Sequence, residues 1–194
     1  DTIIGVITIE GAHVLGGGTE AVDKMKQEDF IQLLTDNIQA IKNWEHPPFM
    51  ITLSHHFWNH LAGHSKSMKR PINNVLNQNK GKNKGITEAG WHVIRELLST
   101  KNGKRILIDT KHMSAASRNE YYAFINNYNY VNPDNKIPVV SSHACANGFK
   151  TIDSSIAKAD LIVKARKGRL YKWSINISDE EAKIIHDSEG LIGL

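Results

Sequence analysis

The sequence predicts an α/β protein with a parallel sheet, because short apolar runs alternate with amphipathic helical patterns. Five runs rich in Ile and Val have strand character, and they span residues 3–9, 49–53, 106–108, 137–140 and 191–194. Most of these runs lack polar alternation, which is typical of strands that are buried on both faces of a parallel sheet. The length of 194 residues and the hydrophobic content of 40% indicate a single α/β domain over residues 1–194.

Helical patterns separate the strand candidates. Residues 29–44 and 87–99 each repeat apolar residues at helical spacing, so that one face of each segment is apolar. Ser114 has the position of an N-cap for a third helix, and Ser178 with Glu181 has the spacing of a capping box for a fourth. The order of strands and helices therefore follows the βα repeat of parallel α/β folds.

Two architectures accommodate these elements. A doubly wound parallel sheet of five strands would be complete at this length. A (β/α)8 TIM-type barrel needs about 250 residues, so the chain would then be an interior portion with about five strands present and the first and last strands missing. The sequence begins next to one strand candidate and ends inside another, and such ends favour the barrel portion. A targeting segment would also be lost with the missing N-terminus, which leaves the localisation unknown.

Two stretches, residues 57–85 and 149–173, show no clear regular pattern. The first is long, basic and rich in Asn, and we expect it to be a loop insertion in the domain. Although the net charge is +4, solvated loops account for the basic residues better than a nucleic-acid site does. No apolar stretch approaches the roughly 18 residues of a membrane-spanning segment. The single cysteine, Cys145, excludes an internal disulfide, and we expect it to be a small buried side chain.

Each of the first four strand candidates is followed at once by a residue that can bind a metal or transfer a proton. These residues are, in chain order, Glu10 and His13, His55 and His56, His112, and His143. The carboxyl ends of parallel strands lie on one side of an α/β protein, so we expect these side chains to converge. Because Zn²⁺ and related metals take imidazole nitrogen and carboxylate oxygen, the sequence predicts a metal or acid–base site there.

Five segments of the chain match, in order, the motifs of one family. "IEGAH" resembles E-G-G-H, "ITLSHH" resembles L-T-H, and "ILIDTKHMS" is similar to L-I-D-x-(A/S)-H-x-S. "PVVSSHA" resembles P-x-x-x-S-H-S, and "NISDEEAKIIHDSEGLIGL" is similar to a characteristic helix and the strand after it. Together they resemble the membrane (renal) dipeptidase family of binuclear zinc hydrolases, which are barrels of the amidohydrolase type. The resemblance covers nearly the whole chain.

The resemblance implies a zinc-dependent hydrolase that cleaves the amide bond of dipeptides or related small amides with a hydroxide generated at the metal. It implies that Glu10 bridges two zinc ions and that His112 and His143 bind one of them. His55 matches a family residue that contacts the substrate and the tetrahedral intermediate, so it is the expected catalytic residue. Within this chain only the zinc site of Glu10, His112 and His143 would be complete. We therefore expect the chain alone to bind at most one zinc tightly and to be a poor catalyst.

The sequence also departs from the family pattern. An H-x-D pair in the first strand of the family and an acid/base Asp in its last strand have no counterpart here, and both would lie outside residues 1–194. The arginine that binds the substrate carboxylate in the family would precede "NISDEE", where the chain reads "RLYKWSINISDEE". Arg169 and Lys172 are the candidates for that role. Asp109 or Glu45 is expected to hold a ligand imidazole in the required tautomer.

Two alternatives remain open from the sequence. One is a metal-dependent amidohydrolase that acts on a non-peptide amide or a lactone. The other is a non-catalytic α/β domain whose basic loops bind an anionic partner, with an affinity that falls steeply with salt. The expected partner in the favoured interpretation is a small-molecule or dipeptide substrate. The sequence does not decide whether the chain forms a homodimer.

Overall fold

Five short parallel strands form one sheet, in the order in which they occur along the chain. The computed structural model describes residues 3, 5–18, 20–68, 72, 75–164 and 171–193. In this part of the chain the sheet contains β1 (Thr8–Ile9), β2 (Met50–Thr52), β3 (Leu107–Asp109), β4 (Val140–Ser141) and, last in the chain, β7 (Leu191–Ile192). The predicted α/β class with a parallel sheet is confirmed, although four of the five strands are shorter than the apolar runs that predicted them and β3 is shifted by one residue.

Helices connect these strands and pack beside the sheet. They are α1 (Gln27–Lys42), α2 (Glu88–Leu98), α3 (Ala115–Val131), the short α4 (Ile152–Ala157) and α5 (Asp179–Asp187). The predicted caps are present, because the Ser114 side chain accepts a hydrogen bond from Ser117 N and Ser178 forms a complete capping box with Glu181. Apolar faces of α1 and α2 pack together, and α2 packs against β3, which places the core between helices and sheet.

The expectation that residues 149–173 lack regular structure is wrong. This stretch contains α4 and an antiparallel pair formed by β5 (Val163–Lys164) and β6 (Tyr171–Lys172). A six-residue helix and two-residue strands are too short to leave a periodic pattern in the sequence. Residues 57–85 do form a loop where the structure describes them, with isolated bridges such as Ala62 with Ile86 holding its ends together.

A buried ion pair joins α3 to α5 behind the sheet. Arg118 Nε lies 2.6 Å from Glu181 Oε1, and both side chains are almost completely buried. The Arg118 guanidinium also donates hydrogen bonds to the backbone carbonyls of Met113, Ser174 and Asn176. One side chain thus fixes the turn after β3 and the segment after β6, which both border the candidate site described below.

Candidate metal centre

Three imidazoles from three strand ends converge on the carboxylate of Glu10, which follows a fourth strand. Glu10 directly follows β1, and its Oε1 lies 3.3 Å from His55 Nε2, 3.8 Å from His112 Nε2 and 3.9 Å from His143 Nε2. The three histidines follow β2, β3 and β4, respectively, at the carboxyl edge of the sheet. The structure therefore brings together four of the six residues that the sequence placed after the strands, although these four are far apart along the chain.

Three of these residues form the most compact group. Single ligand atoms of Glu10, His55 and His112 all lie within 4.8 Å of one another, so this group could hold a metal ion. His143 lies at the rim, with 48% of its side chain exposed and its ring centroid 5.3 Å from that of His112. The sequence assigned His143 to the metal and His55 to the substrate, whereas by distance alone His55 is as well placed to be a ligand.

A tight turn after β3 aims His112 at the site. His112 has a φ of 66°, in the left-handed region that non-glycine residues seldom adopt. Hydrogen bonds hold the turn, since Met113 N donates to Thr110 O and Ser65 N donates to His112 O. A residue in this conformation costs about 1–3 kcal/mol, and such strain is concentrated at functional sites. The contact to Ser65 also shows that the long loop supports the site.

Burial lowers the pKa of His112 and His143 and so favours their neutral forms. Burial, with smaller repulsive effects of His55 and Lys111, lowers the pKa of His112 to about 2. The pKa of His143 is also lowered, first by burial and then by Lys111. Neutral imidazole is the form that binds a metal. In addition, His112 Nδ1 is buried and has no hydrogen-bond partner within the described residues. Neutral imidazoles beside the Glu10 carboxylate are a donor set that fits a metal centre.

Asp109 orients His143 through Ser142. Its buried carboxylate accepts hydrogen bonds from Thr52 Oγ1 (2.6 Å), Ser142 Oγ (2.7 Å), Ser142 N (2.9 Å) and Lys111 N (3.1 Å). The single hydroxyl hydrogen of Ser142 points to the carboxylate, so Ser142 Oγ accepts the hydrogen bond from His143 Nδ1 at 2.9 Å. His143 thus carries its proton on Nδ1, which leaves the Nε2 lone pair facing Glu10.

Of the two predicted supporting carboxylates, Asp109 has this role and Glu45 does not. Glu45 lies at the opposite, amino end of β2, where it is 90% exposed and its carboxylate is 3.8 Å from His46. Sequence reasoning missed Ser142 altogether. The sequence could have indicated Ser142, because it directly precedes the candidate ligand His143 and a hydroxyl at that position can reach the Nδ1 of the next residue.

A cavity of about 330 Å³ opens beside the histidines. His112, His143 and Lys111 line one side, and Trp173 and Ile175 line another. The side chains of Trp173 and Ile175 are largely buried, so this wall is apolar. The cavity lies near the lower end of the roughly 300–1,000 Å³ that is typical of small-molecule sites, so a small substrate is the ligand class that it suits.

Two further sequence-based assignments around this cavity need comment. Cys145 was expected to be buried, but it is exposed, because it lies on the loop after β4 at the cavity rim. Lys172 is an exposed residue of β6, and its Nζ lies 5.8 Å from the centroid of the Phe149 ring. Arg169 lies outside the described residues.

Comparisons with known proteins add no family assignment. A scan against protein-family models and a search of curated proteins return no match to the chain. None of the helices in the described part of the chain combines the length and apolarity that crossing a membrane requires. What the site does must therefore be inferred from its geometry and from the motif resemblance.

Proposed function

We propose that this chain is the zinc-binding part of a hydrolase that cleaves the amide bond of dipeptides or related small amides, as in the membrane dipeptidase family. The observation that carries the proposal is the convergence of three imidazoles on Glu10, with distances of 3.3–3.9 Å from its Oε1. This combination of nitrogen and oxygen donors suits Zn²⁺. The adjoining cavity gives a small substrate access to the same edge of the sheet.

We further infer that the sheet is an arc of a (β/α)8 barrel. Its strands follow one another in chain order, β1-β2-β3-β4-β7, without the reversal of order that defines the switch point of a doubly wound sheet. Right-handed crossovers between sequential neighbours place successive helices on the same face, as in a barrel. In both TIM-type barrels and this chain, the candidate site lies at the carboxyl ends of the strands.

Each side chain has a defined role in the proposed reaction. Glu10, His112 and His143 hold the metal, and Asp109 keeps His143 in the ligand tautomer through Ser142. When bound, zinc supplies a Lewis acid that lowers the pKa of water to about 7 and polarises the scissile carbonyl. The His55 side chain is only 25% exposed and its Nε2 faces Glu10, and from Nε2 it donates a hydrogen bond to the substrate oxygen that becomes negatively charged.

The proposal is tested by assaying one preparation, at fixed zinc content, against dipeptides, N-acyl amides and lactones. We expect slow release of amino acids from dipeptides that stops with a chelator and returns with added zinc. His55→Gln should keep the zinc and lose the hydrolysis. Turnover of lactones or N-acyl amides without dipeptide cleavage would contradict the dipeptidase assignment and favour the other amidohydrolase. A folded protein that takes up no zinc would contradict the metal centre itself.

A further inference from the structure

Lys111 is a buried cation in the wall of the cavity. It lies between Asp109, the last residue of β3, and His112, and its backbone N donates to Asp109 Oδ1 at 3.1 Å. Only 8% of the residue is exposed, and it lines the cavity together with His112 and His143. In the motif L-I-D-x-(A/S)-H-x-S this position holds a small residue, so the lysine is a feature of this chain.

The ammonium group has no ionic partner in the part of the chain that the structure describes. Cys145, Asp109 and Glu10 act on its charge only as longer-range electrostatic partners. The Asp109 oxygens already accept four hydrogen bonds, and Glu10 faces the three histidines. A buried charge without a partner is strongly unfavourable, so this side chain lacks an anion that a ligand would bring.

The remaining walls limit what that ligand is. Trp173 and Ile175 form an apolar surface in the same cavity of about 330 Å³. A ligand that satisfies both features is small and carries an anionic group next to an apolar side chain. Such a ligand would also lie close to the histidines, because Lys111 and His112 are consecutive residues that line the same cavity.

We propose that Lys111 is a specificity-determining residue that binds the carboxylate of the substrate. The apolar side chain of the same substrate residue then packs against Trp173 and Ile175, and the amide carbonyl that precedes it faces His112 and His143. The C-terminal residue of a dipeptide has this arrangement. The part of the inference that concerns hydrolysis rests on the proposed function, whereas binding of the carboxylate by Lys111 does not require the metal.

The test compares the dipeptide Ala-Leu with its C-terminal amide, Ala-Leu-NH₂, which lacks the carboxylate. Kd values are measured by NMR titration of the metal-free protein, for the natural chain and for Lys111→Met, Lys111→Arg and Lys172→Met. We expect Lys111→Met to weaken binding of Ala-Leu about 10- to 100-fold and to leave binding of the amide unchanged. Lys111→Arg should keep most of the preference for the acid. Lys172→Met tests the exposed lysine that the sequence named as the rival partner of the carboxylate, and it should keep all of the preference.

The amide is the internal control for folding, because a misfolded Lys111→Met variant would lose both ligands. Equal binding of acid and amide by the natural chain would overturn the inference. A preference that survives Lys111→Met, or that disappears in Lys172→Met, would overturn it too. With zinc bound, Lys111→Met should raise KM for Ala-Leu by a similar factor with little change in kcat.

The two proposals fail separately in this design. If the chain binds no zinc and yet prefers the acid in a Lys111-dependent way, the hydrolase proposal fails and the role of Lys111 stands. If zinc-dependent cleavage of Ala-Leu is present but its KM is unaffected by Lys111→Met, the role of Lys111 fails and the hydrolase proposal stands.

Discussion

Ser142→Ala is the substitution that most sharply isolates the support of the metal centre. It removes the hydroxyl that links the Asp109 carboxylate to His143 Nδ1, while the Ser142 backbone N still donates to Asp109 Oδ1 at 2.9 Å. The His143 ring then loses the contact that fixes its proton on Nδ1. Because Thr52 Oγ1, Lys111 N and Ser142 N still donate to the Asp109 carboxylate, the substitution leaves no buried charge without a partner.

The size of the effect follows from the two lost contacts. A hydrogen bond to a charged group contributes about 1.5–3 kcal/mol to stability, and solvent that reaches the partly buried Ser142 reduces that loss toward about 1.5 kcal/mol. Loss of a supporting contact behind a metal ligand lowers metal affinity by about 10- to 100-fold. We therefore expect zinc affinity to fall by about that factor in a variant that remains folded.

Thr52→Val is the matched control for this prediction. Thr52 Oγ1 donates to the same Asp109 oxygen at 2.6 Å, but it does not contact His143. Zinc affinity is measured by competition with a chromophoric chelator, and the free energy of unfolding is measured by urea denaturation. Both variants should lose stability, and Ser142→Ala should show the larger loss of zinc affinity. Equal zinc affinities in the two variants would refute the role assigned to Ser142.

Two other predictions concern the stability of the metal-free protein. His112 has a pKa of about 2 in the folded protein and about 6.5 in the unfolded chain, so only the unfolded chain takes up a proton as the pH falls below 6.5. The free energy of unfolding therefore decreases by about 1.4 kcal/mol for each unit by which the pH falls below 6.5. The free energy of unfolding is measured by urea denaturation at pH 7 and pH 5. His112→Gln should reduce the difference between the two values by the contribution of His112, whereas the exposed His46→Gln should leave that contribution unchanged. The same difference in both variants would refute the prediction. Arg118→Met should cost about 3–5 kcal/mol because it leaves the Glu181 carboxylate buried without its cation, and Arg118→Met with Glu181→Gln should recover part of that loss; a single variant as stable as the natural chain would argue against the buried pair.

The parts of the fold that the sequence predicted are those with strong local signals. Apolar runs located all five strands of the sheet, and the spacing of Ser178 and Glu181 identified the capping box. The lengths of most strands were overestimated. A residue belongs to a strand only if a neighbouring strand pairs with it, whereas a run of apolar residues can extend beyond the paired positions. Among the described residues of the run at residues 3–9, Thr8 and Ile9 pair with β2, while the side chains of Ile3, Val6 and Ile7 are exposed.

The candidate site was predictable for a topological reason, and its details were not. Parallel strands bring their carboxyl ends to one edge, so polar residues after each strand were enough to select a set that includes Glu10 and the three histidines, but also His13 and His56. The direction in which each ring points depends on contacts between distant segments, such as Ser65 with His112 and Asp109 with Ser142. For the same reason the sequence did not show that Lys111 is buried beside the ligands or that Cys145 is exposed.

The most direct test of the central claim is the zinc content of the purified chain, measured by elemental mass spectrometry. His112→Ala with His143→Ala is compared with His46→Ala and His186→Ala, two histidines that lie away from the site. We predict about one tightly bound zinc per natural chain, its loss in the first double variant and its retention in the second. A folded natural chain that did not bind added zinc would contradict a metal centre at this edge of the sheet. Equal zinc content in all three proteins would also contradict it.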